Sequence, residues 1–547
     1  MYSILNDWPS CICTRVPVSY LIQQWHSQII NSQTIDGGSD DKRREDLQKM
    51  GNELRDKDID IIGKIVANHI FLHGKDIEQK EDIKETGTLI WIVDSLKNTS
   101  DLKSLREIFK DEFFFFFVTA NTEIRWRRMR DYRSWKEEDK AKFLKIDQID
   151  SDQKQIDEQV GDSGQQVRKL AAEADYYIVN NETRADLHRT AYRAIGQIFG
   201  LGINQPSTDE KSMHIAFSSA NQSACLSRQV GAAIFSKEGN ILSIGHNDVP
   251  KAKGGLYSIE DENHDYRCLN VGEKRCINDT NKEERFKNLT NKIRESLRDY
   301  LSKISLPDEA RSDLLDQLGE FSRGGITTLI LDAVKKSEFK DATEYCRAVH
   351  AEMDALLSVC RNQNGSTIGA TVYVTTQPCH NCVKHLITAG VEKVIYIEPY
   401  PKSLMEELHS DAINLNPQHR ENSQWKVSFI PYHGIAPRRY HDIFDMANKR
   451  KDNDGKLCYT SKQELAFAPK FSSRVAKRTR FQQVDETYKD LITINEILAA
   501  NEPITLANCG LIQEGDDERT ECEIGTNADG GGIAPKDILM QSSQKGS

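Results

Sequence analysis

Between His350 and Cys382 the chain sets out a spacing that few folds can satisfy: His350-Ala-Glu352, twenty-eight residues between His350 and Cys379, and Pro378-Cys379-His-Asn-Cys382. The thiols follow Ala370-Thr-Val-Tyr-Val-Thr375, a β-branched run that reads as a strand. A Cys-x-x-Cys at the start of the next helix places both sulfurs on one side, where the helix dipole favours thiolate. His350 and Glu352 lie in Glu344 to Val359, a stretch of helical period, and both can point into one cavity near its first turn. One imidazole and two thiolates give zinc three protein ligands and leave its fourth tetrahedral position open, as in catalytic rather than structural sites. Zinc there draws the pKa of a bound water from about 15.7 towards about 7. Glu352 is then the carboxylate that moves the protons.

The rest of the chain must build a frame for this site. At 547 residues it exceeds what one core supports, so at least two domains are expected. Apolar residues are 38% and charged residues 29%, an ordinary soluble composition. No apolar run approaches the roughly 20 residues of a membrane helix, and the longest, Phe113 to Ala120, is strand-sized. The start, Met-Tyr-Ser-Ile-Leu-Asn-Asp-Trp, lacks the pattern of a secretory signal, so a cytoplasmic protein without a membrane partner is expected. With 73 Lys plus Arg against 84 Asp plus Glu, the net charge of −11 argues against coating a nucleic-acid duplex. Twelve cysteines in such a chain suggest thiols and metal ligands rather than a disulfide framework.

Strand and helix alternate through residues 1–205. Thr88 to Asp94, Glu112 to Thr119 and Ala174 to Asn180 read as buried strands. Arg43–Arg55, Ile59–His73, Leu102–Lys110, Glu123–Arg130 and Thr183–Phe199 read as helices. This alternation implies a parallel sheet in an α/β layer fold. The arrangement resembles the P-loop nucleotide kinases, with Asp94 at their strand-end acid and Arg125, Arg127 and Arg128 at their lid. No G-x-x-x-x-G-K-[ST] loop is present, and Gly161-Asp-Ser-Gly164 does not replace it. The opening strand and loop of such a domain would lie ahead of Met1, and the front half reads as a scaffold. A linker at Leu201 to Glu210 leads to a second domain over 206–446, with a charged helical insertion at about 277–341. Residues 447–511 form a C-terminal extension, and 512–547 an acidic, Gly/Ser-rich tail expected to be disordered.

The H-x-E…P-C-x-x-C order is the signature of zinc deaminases, in which the Glu stays outside the metal shell. The likeness extends to Cys225-Leu-Ser-Arg-Gln-Val-Gly-Ala-Ala-Ile234, Gly245-His-Asn247, His350-Ala-Glu-Met-Asp-Ala355 and Ala389-Gly-Val-Glu-Lys-Val-Ile-Tyr396, which resemble the deoxycytidylate deaminases. With the kinase-like front half, Ser95-Leu-Lys-Asn98, Asn247-Asp-Val-Pro250 and Gly434-Ile-Ala-Pro-Arg-Arg-Tyr440, the chain resembles the bacterial anti-phage dCTP deaminases from about residue 40 to 510. The resemblance implies a three-layer α/β/α cytidine-deaminase-like domain behind an N-terminal P-loop-kinase-like α/β domain lacking its Walker A loop. It also implies conversion of dCTP, and of dCMP, to the deoxyuridine nucleotide. Asn247 inherits a contact to the sugar hydroxyl.

A free nucleotide needs cations for its phosphates. Arg228, Lys251 and Lys253 are the candidates, with Gly254-Gly255 allowing close backbone approach, and Tyr400 is a candidate wall for the base. His264, Cys268, Cys276 and Cys346 form a second group, a candidate structural zinc site beside the catalytic Zn2+. Cys11, Cys13, Cys360, Cys458, Cys509 and Cys522 read as ordinary thiols. A homo-oligomer and an inhibitory protein or RNA are the expected partners. The rival reading is a deaminase acting on tRNA or single-stranded DNA, which needs a basic, aromatic-lined channel. Trp126 with its arginines, and Lys470 to Arg480, are its only candidates.

Overall fold

The computed structural model describes residues 11–30, 40–80, 88–151, 162–200, 204–319, 325–337, 339, 345–400, 402–415, 425–445, 451 and 453–456. The linker start at 201–203, Gly161, nearly all of 447–511, Lys470 to Arg480, Cys458, Cys509, Cys522 and the tail from 512 lie outside them.

A sheet of six strands positions the site. Its members are β5 (Gly231–Phe235), β6 (Ile241–His246), β7 (Thr371–Thr376), β8 (Lys393–Glu398), β9 (Ile413–Asn414) and β10 (Val427–Pro431), in the order β6-β5-β7-β8-β10-β9. The pair β5–β6 is antiparallel, as is β5–β7, while β7, β8, β10 and β9 run parallel. Ala232, Ile234, Val372, Val374 and Val394 line one face and are wholly buried against Ala351, Ala355 and Val383 of two helices. Ala233, Phe235, Tyr373 and Ile395 alternate onto the other face, against Met213 and Ala216 of the helix Thr208–Ala220. Helices thus cover both faces, the three layers expected from the sequence.

The front half contributes two small sheets. Strand β1 (Cys11–Pro17) runs parallel to β2 (Thr88–Asp94). Strands β3 (Phe116–Thr119) and β4 (Tyr176–Val179) are parallel, and the short β11 (Gly434–Ile435) joins β4 antiparallel. The sequence reading placed an opening strand ahead of Met1; β1 lies inside the chain instead. It leads directly into α1 (Val18–Ile29) with Pro17 at the N-cap, so no glycine loop intervenes. The five phenylalanines were expected to continue one strand from Glu112. The ladder begins only at Phe116, because the buried Asp175 carboxylate accepts the Phe115 N–H at 2.7 Å. Helices α2 (Asp40–Lys57), α3 (Ile61–Lys80), α4 (Thr99–Phe109), α5 (Thr122–Arg133) and α6 (Arg184–Ile198) match the expected ones within a few residues, and α3 runs on to Lys80.

Front and rear share a core: Ala174 and Tyr177 pack with Met213, Phe235, Tyr373, Tyr432 and Ala436. Helix α7 (Thr208–Ala220) starts this rear half with a Ser207/Glu210 capping box. The insertion is helical, from α8 (Ile277–Lys303) through Asp308–Gln317 to Ile326–Lys336. Among the described residues no helix is long and apolar enough to cross a membrane.

Candidate metal and proton-transfer site

Two helix starts meet at the carboxyl end of the sheet. Helix α9 (Ala351–Asn362) begins at His350, its N-cap, and α10 (His380–Thr388) begins at Cys379. The helical period is expected from Glu344, which lies outside the described residues; the helix instead begins at Ala351, after an extended His350 and a bridge between Val349 and Asp248. An N-cap residue has non-helical torsions, so its side chain swings across the helix mouth. His350 and Cys379 both do this, with ψ of 153° and 162°.

The geometry closes on one point. His350 Nδ1 lies 3.4 Å from Cys379 Sγ and 3.3 Å from Cys382 Sγ, and the three donor atoms all lie within 4.8 Å of one another. A tetrahedral zinc with bonds of about 2.3 Å to sulfur and about 2.05 Å to nitrogen spaces those atoms about 3.5 Å apart. The donor set therefore fits zinc. Both thiols are buried. The Cys379 thiol is pulled down to about 4, first by its hydrogen bond with Cys382 and then, against burial, by His350. Cys382 is held well above the usual thiol range by the same pairing and by burial. His350 is raised to about 11 by hydrogen bonds to Cys346 and Cys379.

Glu352 is 4% exposed, on the first turn of α9. Burial pushes its carboxyl up to about 7, against the pull of His350. A carboxyl that is half protonated near neutrality can both accept and return a proton. Close packing sets the helix on the sheet. A Cβ on Gly245 of β6 would stand 2.4 Å from Ala355 N and 2.5 Å from Ala351 O, so glycine alone lets the helix approach.

The other candidates divide. Asn247 is buried at the end of β6, where its Oδ1 accepts the Val230 N–H at 2.7 Å and its Nδ2 donates to Arg228 O at 2.9 Å. Arg228 pairs with Glu398 at the rim beside β5 and β8. Lys251 pairs with Asp261 at 2.9 Å, and Lys253 takes φ +71° in the turn that Gly254 and Gly255 complete. The Tyr400 N–H donates to Gln377 Oε1 at 2.8 Å, tying its loop to the segment before Cys379. Cys268, Cys276 and Cys346 line one small cavity with Cys225, and His264 does not; among the described residues only His350, Cys379 and Cys382 bring their donor atoms within metal-binding reach, so the expected second metal group does not come together. Trp126 is buried against Phe143 and so offers no stacking face.

Sequence reasoning missed the brace behind the site. Asp248 is 1% exposed and accepts the Ala224 N–H at 2.9 Å, while its backbone carbonyl accepts the Val349 N–H at 2.9 Å. Buried Arg267 reaches Asp248 at 3.5 Å and Asp265 at 2.6 Å. Charged residues scattered through a loop gave no pattern to find this by.

His350, Cys379 and Cys382 could together hold a metal ion, and a buried carboxyl stands beside them, the donor types of a hydrolytic metal centre. Residues 206–398 match the family model described as "Cytidine and deoxycytidylate deaminase zinc-binding region". The chain carries a domain of the cytidine and deoxycytidylate deaminase superfamily. It is 46% identical to the deoxycytidylate deaminase of Enterobacteria phage T2 over 56 residues, 10% of this chain and 29% of that protein. It is 41% identical to ComE operon protein 2 of Bacillus subtilis (strain 168) over 121 residues, 19% of this chain and 64% of that one. The chain thus spans less than a third of the phage protein and just under two thirds of the Bacillus one. The crystal structure of dCMP deaminase from the cyanophage S-TIM5 in complex with dCMP and dUMP aligns over 42% of this chain and 99% of that one, at 17% identity and a TM-score of 0.22. The family model, not that superposition, carries the assignment.

Proposed function

We propose that this chain is a zinc-dependent hydrolase that converts deoxycytidine nucleotides, dCTP and dCMP, to the deoxyuridine nucleotide and ammonia. The observation that carries the reading is the buried Glu352 beside the His350, Cys379 and Cys382 donor set. Zinc, when bound, makes a water nucleophilic at neutral pH. Glu352 takes the proton of the attacking water and passes it to N3 of cytosine as oxygen bonds to C4. The same carboxyl then moves the hydroxyl proton to the exocyclic nitrogen, the C4–N bond breaks, and ammonia leaves.

Arg228, Lys251 and Lys253 are the phosphate cations in this reading, each exchanging its present partner for ligand oxygens. Asn247 keeps one lone pair and one N–H for the sugar hydroxyl, and Tyr400 walls the base. Residues 1–205 form the kinase-like module and 206–446 the deaminase. The protein acts in the cytoplasm as a homo-oligomer, draining dCTP from phage DNA synthesis and restrained by a protein or RNA inhibitor until infection.

Purified protein given dCTP, dCMP, CTP, deoxycytidine and a cytosine-containing oligonucleotide tests this, with ammonia and uracil product measured and zinc counted. Turnover of dCTP or dCMP with one zinc ion per chain is expected. Turnover of the oligonucleotide alone makes polynucleotide deamination the function.

A further inference from the structure

Of the three metal donors, His350 is the one whose chain arrives without a strand or helix behind it. Cys379 caps α10 just past the end of β7, and Cys382 lies within α10 itself. Residues 345–349 instead form neither helix nor ladder, and their strand-like pairing is one isolated bridge, Val349 to Asp248. Such a segment keeps its conformational freedom unless contacts from elsewhere remove it.

Two contacts do so, and both trace to residues 265–270. The Val349 N–H donates to Asp248 O at 2.9 Å, and two residues earlier Arg347 Nη1 donates to Tyr266 O at 2.9 Å. Asp248 is held in turn. Its carboxylate accepts the Ala224 N–H at 2.9 Å and the Val249 N–H at 2.8 Å, and Arg267 Nη1 stands 3.5 Å from it. The rest of the Arg267 guanidinium is clamped: Nε and Nη2 donate to the two oxygens of Asp265 at 2.9 and 2.6 Å, and Asn270 donates to the same carboxylate at 2.7 Å. The anchor also reaches Asn247, whose carbonyl accepts from the Ser223 hydroxyl at 2.6 Å, one residue before Ala224.

Arg267, Asp248 and Asp265 are all buried. A buried guanidinium between two carboxylates is a poor source of stability, since apolar side chains of similar volume do as well or better. What it supplies is direction, because a planar fork fixes the angle between two carboxylates as an apolar contact does not. We propose that Arg267 is a positioning residue for the metal site. Through Asp248, with the neighbouring Tyr266 carbonyl on Arg347, it sets the path of the chain that delivers His350, and it touches neither metal nor substrate. Loss of the fork frees Val349, and the imidazole one residue on loses its aim. The inference rests on the zinc donor set of the proposed function and not on its substrate, so its test needs no nucleotide.

Full-length Arg267→Lys keeps the charge and removes the fork. Its zinc affinity, measured by competition with a chelator, should fall at least about ten-fold below wild type, with far-ultraviolet dichroism unchanged. Asp265→Asn, which leaves Arg267 in place but loosens its clamp, should weaken zinc binding by about three-fold. Glu210→Gln is the control for lowered stability alone: Glu210 is buried at the start of α7, paired with Arg193 at 2.6 Å, on the opposite face of the sheet from α9. It should lower Tm and keep zinc affinity within about two-fold of wild type. If Arg267→Lys does not fold, Asp265→Asn decides by the same measure. Zinc affinity held at the wild-type level in the folded Arg267 or Asp265 variant, whatever its Tm, overturns the role. An equal loss of affinity in Glu210→Gln overturns it too, since the effect would then be one of general stability.

Discussion

In the proposed reaction Glu352 works through its position, not its acidity. An exposed glutamate titrates near 4.3 and would be a poor proton donor at neutral pH. Burial beneath the helix start moves it to about 7, where giving and taking are balanced. Glu352→Gln keeps the shape and removes the transfer. Zinc bound per chain should stay at the wild-type level by elemental analysis, while kcat falls about 100- to 10,000-fold. Activity within a few-fold of wild type would place the proton path elsewhere. These four residues were legible in the sequence because metal chemistry restricts both residue type and order. The roles of Asn247, Arg228 and Lys251 were not. Whether a polar side chain faces a ligand or ties down a neighbouring backbone group depends on contacts from distant segments, such as Glu398 for Arg228.

Elements carry the site through packing as much as through caps. Helix α9 approaches β6 so closely that Gly245 has no room for a methyl group. Gly245→Ala must push the backbone at Ala351 and Ala355 outward, and Ala351 is flanked by His350 and Glu352. The expected result is a folded protein with the same far-ultraviolet dichroism, a Tm lowered by several degrees, and zinc affinity reduced at least about ten-fold. Unchanged zinc affinity together with a lowered Tm would show that the helix shifts without disturbing its cap. Strand and helix periods exposed most elements in the sequence, since apolar alternation reports burial directly. Their ends were less visible. The start of α9 and the late start of β3 are decided by pairing across the chain, with Asp248 in one case and Asp175 in the other. Strand β1, Cys11–Pro17, mixes two thiols, Thr14 and Arg15 with only two aliphatic residues before its closing proline, too weak an apolar alternation to be read as a strand.

At the scale of the whole molecule, the two halves are joined by buried charge as well as by apolar packing. Glu210, on the first turn of α7, has no exposed side-chain surface. It accepts from Arg193 of α6 at 2.6 and 3.0 Å, from the Ser207 N–H at 2.7 Å and from the Ile435 N–H of β11 at 3.1 Å. One carboxylate thus fastens the last front helix, the first rear helix and the strand that returns to β4. Burial alone would raise its pKa, but the bonds from Arg193 and the backbone outweigh this and hold it below the usual 4.5. A carboxyl depressed in the folded state stabilises the protein above its unfolded pKa and loses that contribution as pH falls through the folded value. Glu210→Gln should therefore lower Tm most at neutral pH, by roughly 3 °C once the partial exposure of Arg193 is allowed for. The gap between variant and wild type should hold from pH 7 to about 5.5 and narrow as pH falls below 4.5. A gap that stays constant down to pH 3.5 would mean that the lost hydrogen bonds, not the charge, account for the difference. Closure of the gap instead shows that ionised Glu210 holds front and rear together, so acid should loosen this junction and leave the zinc ligands, on the far side of the sheet from α7, to respond through their own protonation.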